Sequence, residues 1–229
     1  MNQRRIFHGR RYGRRLRPSR AQQLKAGLVT LSVDISAPTI DPHALFKGVG
    51  GIGEIWLEIG FGGGEHLAAQ AAARPDVGFI GCEPFMNGVA RLMSDIDARG
   101  LKNIRVHPDD ARDLMDTLPD ASISRCFILF PDPWPKRRHN NRRMVSRENL
   151  DGLARILANG AILRLASDHM EYVRWMLGHI LDHNAFEWRC QGPQDWRQRP
   201  ADALPTRYEE KALAKGDSCV YLHFQRRKR

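Results

Sequence analysis

Cysteine is scarce in this chain, and what there is lies scattered. Cys82, Cys126, Cys190 and Cys219 stand far apart with no CxxC pair among them. That spacing argues against a zinc ribbon or a disulfide framework and for reduced, buried thiols in a cytoplasmic protein. No apolar run approaches the roughly 20 residues of a membrane span. The basic N-terminus has no apolar stretch behind it, so it does not read as a secretory signal. A GKS/T phosphate loop, a serine elbow and a Cys–His arrangement are all missing. His179 and His183 are at i, i+4 on a predicted helix, but no Glu or Cys completes a metal site with them, so no metal is expected.

Acidic residues are missing from three particular places. Residues 1–20 hold eight arginines and no acid. Residues 136–147 hold Lys136, Arg137, Arg138, Arg142, Arg143 and Arg147, again without an acid, and the final QRRKR adds four cations. These tracts contain 18 of the 36 basic residues, while the remainder carries 18 basic residues against all 26 acidic ones. An acidic body thus bears three basic appendages. Concentrated positive patches suit phosphate backbones, so the expected partner is a nucleic acid rather than a membrane.

What is present reads as one globular domain. With 229 residues and 42% hydrophobic content the chain is long enough to bury a core. Residues 1–27 read as a basic, flexible arm and 28–229 as a single domain. Apolar runs ending in turn residues mark strands at 55–59, 77–82, 104–107, 123–130, 161–166, 186–189 and 219–224. Helical patterns fall at 65–73, 85–98, 148–157 (closed by Asn159-Gly160) and 170–181. The alternation predicts an α/β fold, an open and mostly parallel sheet with helices on both faces. Ligands of such sheets bind at the carboxyl ends of strands, where Glu58, the glycines, Glu83, Asp110, Asp132 and Asp168 fall one after another.

LEIGFGGGEHL, Leu57 to Leu67, reads as strand, glycine loop and helix start. A dinucleotide fingerprint on Gly60 and Gly62 needs a small residue at position 65, where this chain has Glu. The alternative, Glu58 followed by Gly60, Gly62 and Gly64, resembles the first motif of Rossmann-like S-adenosyl-L-methionine methyltransferases. The acid suits that ligand's ammonium and sulfonium. Glu83, at the end of the second strand, is placed to hydrogen-bond ribose hydroxyls. Asp110 is a candidate for the adenine amino group, with Asp109 as rival, and either also suits a turn cap.

FPDPWPKRRHNNRRMV, Phe130 to Val145, sets a carboxylate and an indole between prolines and follows them with cations. This segment resembles the signature of the bacterial tRNA (guanine-N7)-methyltransferase family. The likeness extends through YGRRLRP, LEIGFGGG, GCEP, ASDHMEYVRWM and PTRYEEK, nearly the whole chain. It implies a seven-stranded class I methyltransferase fold and transfer of methyl from S-adenosyl-L-methionine to N7 of a variable-loop guanosine, position 46, of tRNA. It also implies Asp132 as catalytic residue, touching the cofactor as well. Lys136, Arg138, His139, Asn140, Asn141, Arg142, Arg143 and Asp168 are implied as substrate contacts. Trp134 reads equally as a base-stacking platform or as packing. In PTRYEEK, Thr206 and Glu209 have the spacing of a capping box, while the resemblance makes Thr206, Arg207, Tyr208 and Glu209 substrate-side residues. Guanine N7 carries a lone pair and no proton, so no general base is expected. Monomer and homodimer suit the sequence equally well.

Overall fold

The apolar run around Trp56 becomes a strand because its residues, Ile55 to Ile59, are all buried in the computed structural model, which describes residues 8–229. The chain divides into two compact units, Met1–Pro119 and Asp120–Arg229.

The first unit begins with helix α1 (Pro18–Leu31) and continues β1 (Glu54–Ile59), α2 (Glu65–Ala73), β2 (Val77–Cys82), α3 (Met86–Arg99), β3 (Ile104–His107) and α4 (Ala111–Thr117). Its strands pair in parallel in the order β3-β2-β1, with Leu57 opposite Ile80 and Ile80 opposite Arg105. β2 is buried along its whole length, as expected of a strand covered on both faces. Gly100, at φ +63°, ends α3, and the Leu101 N–H returns to the Ile96 carbonyl at 3.0 Å. α1 crosses the boundary drawn at residue 27 and packs on α3; a Cβ on Gly27 would sit 2.6 Å from Met93 Sδ, so glycine lets the helices meet. Residues 1–7 of the expected arm lie outside the described residues.

The second unit runs β4 (Ile123–Leu129), α5 (Arg147–Ile156), β5 (Leu157–Ser167), α6 (Met170–Leu181), β6 (Phe186–Trp188), α7 (Gln194–Arg197), α8 (Arg207–Ala214) and β7 (Val220–Arg226). β4 and β5 are parallel, whereas β7 runs antiparallel between β5 and β6. One expected boundary is corrected here. Asn159-Gly160 does not separate helix from strand; β5 already begins at Leu157, and its register against β4 jumps from Ile123↔Leu157 to Arg125↔Ile162. The turn signal is absorbed as an irregularity inside the strand, with Gly160 at φ +81°.

Candidate active site

In the first unit the loop after β1 is built on positive φ angles, +75° at Gly60 and +57° at Gly62, which glycine adopts without strain. A Cβ on Gly60 would meet nothing within 4 Å, so the backbone there faces open space. Glu83 organises this loop. Its carboxylate accepts the Gly62 N–H at 2.7 Å and the Phe85 N–H at 2.9 Å. Gly88 lets α3 touch the same loop, because a Cβ there would lie 2.0 Å from the Gly62 carbonyl oxygen.

Glu58 is only 3% exposed. His66 Nδ1 donates to its Oε2 at 2.7 Å. Gln70 contacts His66 Nε2 at 3.3 Å and accepts from Arg74 Nη1 at 2.7 Å, which sets the direction Arg74 to Gln70 to His66 to Glu58. Sequence reasoning missed His66. Its spacing from Gln70, one helical turn, was the available signal.

Asp110 caps α4, accepting the Arg112 N–H at 3.0 Å, and pairs with the Arg112 guanidinium at 2.5 Å. Asp109 instead pairs with Arg11, whose segment is also anchored by the Met86 N–H to the Arg11 carbonyl, 2.8 Å, and by the Gly13 N–H to Asn87 Oδ1, 2.7 Å. Burial opposes ionisation of Asp109. The Arg11 hydrogen bond, the Asp110 N–H and the Arg11 charge outweigh it and hold the carboxyl below its ordinary value. Of the two rivals, Asp109 is the more exposed and Asp110 the one engaged by its own helix.

In the second unit β4 delivers the chain to Phe130 and the proline loop. Phe130 has φ +50° and Trp134 φ +43°, left-handed values that bulky residues adopt only when held there. Asp132 lies between them. It is solvent-accessible and makes no hydrogen bond or ion pair with the described residues. Protein around the loop still raises its carboxyl above the ordinary value by partial desolvation. The side chains of Lys136 and Asp168 are likewise exposed and without such partners.

The basic tract forms a 3-10 turn, Arg137–Arg142. The guanidinium of Arg142 lies over the Trp134 ring at 5.0 Å, His139 meets the ring edge-on at 5.8 Å, and Arg138 Nε donates to His139 Nε2 at 3.3 Å. Trp134 is therefore dressed by its own tract. Asn141 is exposed, and buried Asn140 Oδ1 has no partner.

Arg143 corrects an expectation. Its side chain has no exposed surface and its donors are directed inward, to the Pro133 carbonyl, the Trp134 carbonyl and Glu171, so it cannot also reach a phosphate. The C-terminal tract shows the same diversion. Arg226 Nε donates to the Ala154 carbonyl at 2.8 Å, and Arg229 reaches the carbonyls of Ala154, Arg155 and Leu157, closing the end of α5.

The Thr206-Arg207-Tyr208-Glu209 motif opens α8 with a complete capping box. Thr206 Oγ1 accepts the Glu209 N–H at 3.1 Å, and Glu209 Oε2 accepts the Thr206 N–H at 3.3 Å. Glu209 Oε1 is held by Arg199 at 2.9 Å and by the Tyr221 hydroxyl. Burial, then the neighbouring Glu209, push the Tyr221 hydroxyl's pKa upward, which keeps it a donor. Both Thr206 and Glu209, expected on the substrate side, thus face the protein, because the free N–H groups of a helix start and a buried tyrosine claim them. Arg207 is exposed, as is Tyr208 at 57%. His179 stacks on Trp175 at 4.2 Å and His183 bonds Asp151 at 3.0 Å, so each histidine has a separate structural contact. Among the described residues no His, Cys, Asp and Glu cluster is arranged to hold a metal, and no helix is long and apolar enough to cross a membrane.

Seven strands, parallel except for the pairings of β7, with a glycine loop after β1 and acids after β2 and β3, describe a class I methyltransferase fold. Solved structures agree: the chain is similar to the 16S rRNA methyltransferase KamB (TM-score 0.54, 15% identity, 84% of this chain and 96% of that one). It is also similar to an rRNA methylase from Streptococcus thermophilus (TM-score 0.53, 13% identity, 86% and 100%). The Methyltransf_4 methyltransferase family model matches residues 53–222. Curated relatives named tRNA (guanine-N(7)-)-methyltransferase include one from Rhodospirillum rubrum, 52% identical over 97% of this chain and 88% of that protein. Another, from Ruegeria pomeroyi, is 50% identical over 97% and 95%. The chain belongs to the tRNA (guanine-N(7)-)-methyltransferase family.

Proposed function

We infer that this chain moves a methyl group from S-adenosyl-L-methionine to N7 of guanosine 46 in the variable loop of tRNA, leaving S-adenosyl-L-homocysteine and a cationic 7-methylguanosine. The observation that carries this reading is Asp132, a carboxylate without a protein partner, held in a strained loop beside a cationic tract. The family's printed activity supports the substrate class. The enzyme acts in the cytoplasm, without metal or membrane.

The cofactor's acceptors fit the first unit. Open backbone at Gly60, and the acids Glu58 and Glu83, suit an ammonium and ribose hydroxyls better than a pyrophosphate, which these carboxylates would repel. Asp109 or Asp110 takes the adenine amine. When bound, the cofactor supplies an electrophilic methyl on a sulfonium. The protein's own contribution is position and charge. Asp132 accepts from the edge of the guanine and stabilises the positive charge that grows on the ring as N7 gives up its lone pair. Its unpaired carboxylate strengthens as that cation forms. Lys136, Arg138, Arg142, His139, Asn140 and Asn141 hold RNA beside the loop, and Asp168, Arg207 and Tyr208 complete the substrate side. The test is incubation with methyl-labelled cofactor and unmodified tRNA, followed by nucleoside analysis. Label in 7-methylguanosine, lost when guanosine 46 is replaced by adenosine, is the expected result. Label in N6-methyladenosine defeats the reading.

A further inference from the structure

Arg143 belongs to a tract whose other cations are exposed or half-buried, yet its own side chain is fully enclosed. Its guanidinium lies 5.0 Å from the Tyr172 ring and 4.7 Å from the Trp175 ring, both on α6. From there the planar fork makes two sets of contacts. One set goes back to the proline loop: Nε donates to the Pro133 carbonyl at 2.9 Å and Nη2 to the Trp134 carbonyl at 3.4 Å. The other goes to α6: Nη1 donates to Glu171 Oε1 at 3.1 Å, and Nη2 bonds the second oxygen. The far end of the segment, Val145, is fastened to the same helix. Trp175 Nε1 donates to the Val145 carbonyl at 2.6 Å, and the Val145 N–H donates to the Tyr172 hydroxyl at 3.3 Å.

The carbonyls that Arg143 holds belong to the two residues directly after Asp132. One of them, Trp134, has a left-handed φ, and Phe130 on the other side of Asp132 has another. Such conformations are strained for bulky side chains and persist only where surrounding contacts enforce them. A rigid five-donor fork is suited to gripping two successive carbonyls and a carboxylate together; an ammonium is not.

We propose that Arg143, locked by Glu171 onto α6, is a positioning residue that fixes the Asp132 loop for methyl transfer. It is the internal half of a basic tract whose outer half faces RNA. The inference rests on the role given to Asp132 above. Loss of the fork lets the loop relax, and an ångström of misplacement at Asp132 lowers the chemical step while RNA and cofactor still bind.

The experiment compares R143K, which keeps the charge and loses the fork, with E171A, which removes an exposed carboxylate. For both, kcat and KM on unmodified tRNA, cofactor Kd, the salt dependence of RNA binding and hydrogen exchange at the Phe130, Asp132 and Trp134 amides are measured. R143K is expected to lose about 10- to 100-fold in kcat, the scale of a small misplacement, with KM, cofactor Kd and salt slope unchanged. E171A is expected to move in the same direction by less, and the double variant to be no worse than R143K alone. Exchange at the loop accelerates in both. An R143K that keeps kcat while its salt slope flattens by about one unit is an RNA contact, and the proposal falls. If R143K fails to fold, a folded E171A with wild-type kcat and wild-type exchange overturns it equally. A wild-type enzyme that makes no 7-methylguanosine would sink the proposed function instead; the exchange data would still decide whether Arg143 holds the loop.

Discussion

Carboxylates at the strand ends of the first unit are already answered by the protein, and those of the second are not. Glu58 has His66, Glu83 has two backbone N–H groups, Asp110 has Arg112 and Asp109 has Arg11. Asp132 and Asp168 have no hydrogen bond or ion pair among the described residues. The difference fits two tasks. A carboxylate that receives a stable ligand gains from being fixed in advance, and its remaining lone pairs do the binding. A carboxylate that answers a charge appearing only in the transition state gains from having no competing partner in the ground state.

The largest expected effect breaks the second half of this comparison. Asp132→Ala should keep cofactor binding and lose turnover by about 100-fold or more, since one preorganised electrostatic contact is worth roughly 3 kcal/mol. Asp132→Asn should behave alike, and its stability is informative. The folded state holds the Asp132 carboxyl above its ordinary value, so it binds that proton more tightly than the unfolded chain does. Stability therefore falls as pH rises through the ordinary value, and removing the charge should leave Tm at pH 7 no lower than in wild type. A clear drop in Tm would mean that Asp132 has a structural partner, and the contrast between the units would collapse.

The first half is broken at Gly88. Its replacement by alanine drives a Cβ to within 2.0 Å of the Gly62 carbonyl, a backbone atom that must move. The loop that Glu83 fixes shifts with it. Cofactor Kd, read by calorimetry, should rise about 10- to 100-fold, the 1–3 kcal/mol of an overpacked contact. RNA affinity should stay unchanged, because the Arg137–Arg142 turn lies in the other unit.

Lack of a partner does not by itself mark function, and His223 sharpens the point. Its Nε2 is buried without a hydrogen bond, on β7 opposite Arg164 of β5. Burial first, and then the charge of Arg164, lower its pKa to about 4. The folded state thus binds fewer protons than the unfolded state between that value and the ordinary 6.5. Stability is fully present above 6.5 and is lost as pH falls toward 4. His223→Gln should flatten that acid limb by a few °C in Tm, on the order expected for ~1 kcal/mol, with kcat at pH 8 unchanged. A limb of unchanged steepness would assign the acid sensitivity elsewhere.

The strands were legible because apolar runs ending in turns have one good solution: α2 and β2 lie where their patterns place them, and β1 differs by one residue. α1 was hidden because Leu24 is its one buried residue; the helix gains its place by packing on α3. In the site, Glu58, Glu83 and Asp132 stand out because strand ends are where such sheets bind ligands. Arg143 did not, because six neighbouring cations look alike in sequence and only one meets Glu171, Tyr172 and Trp175. Glu171 and Tyr172 each stand one helical turn from Trp175 on α6, and that spacing was the readable trace of a buried arginine.

Cations provide the smallest and most discriminating contrast. If the outer half of the tract touches RNA and the C-terminal arginines close α5, the two groups must respond differently to salt. Arg142→Ala removes one outward cation and uncovers one face of Trp134. RNA affinity should weaken modestly, and the slope of log K against log salt should flatten by about one unit, one phosphate contact. Arg229→Ala removes donors from the last carbonyls of α5. It should cost Tm at a fixed slope, by an amount typical of a lost helix-end contact, roughly 0.3–1 kcal/mol. A flattened slope for Arg229→Ala and none for Arg142→Ala would invert the assignment. The RNA path would then run along the C-terminus instead of the loop, and Asp132 would be left beside a tract that serves only its own fold.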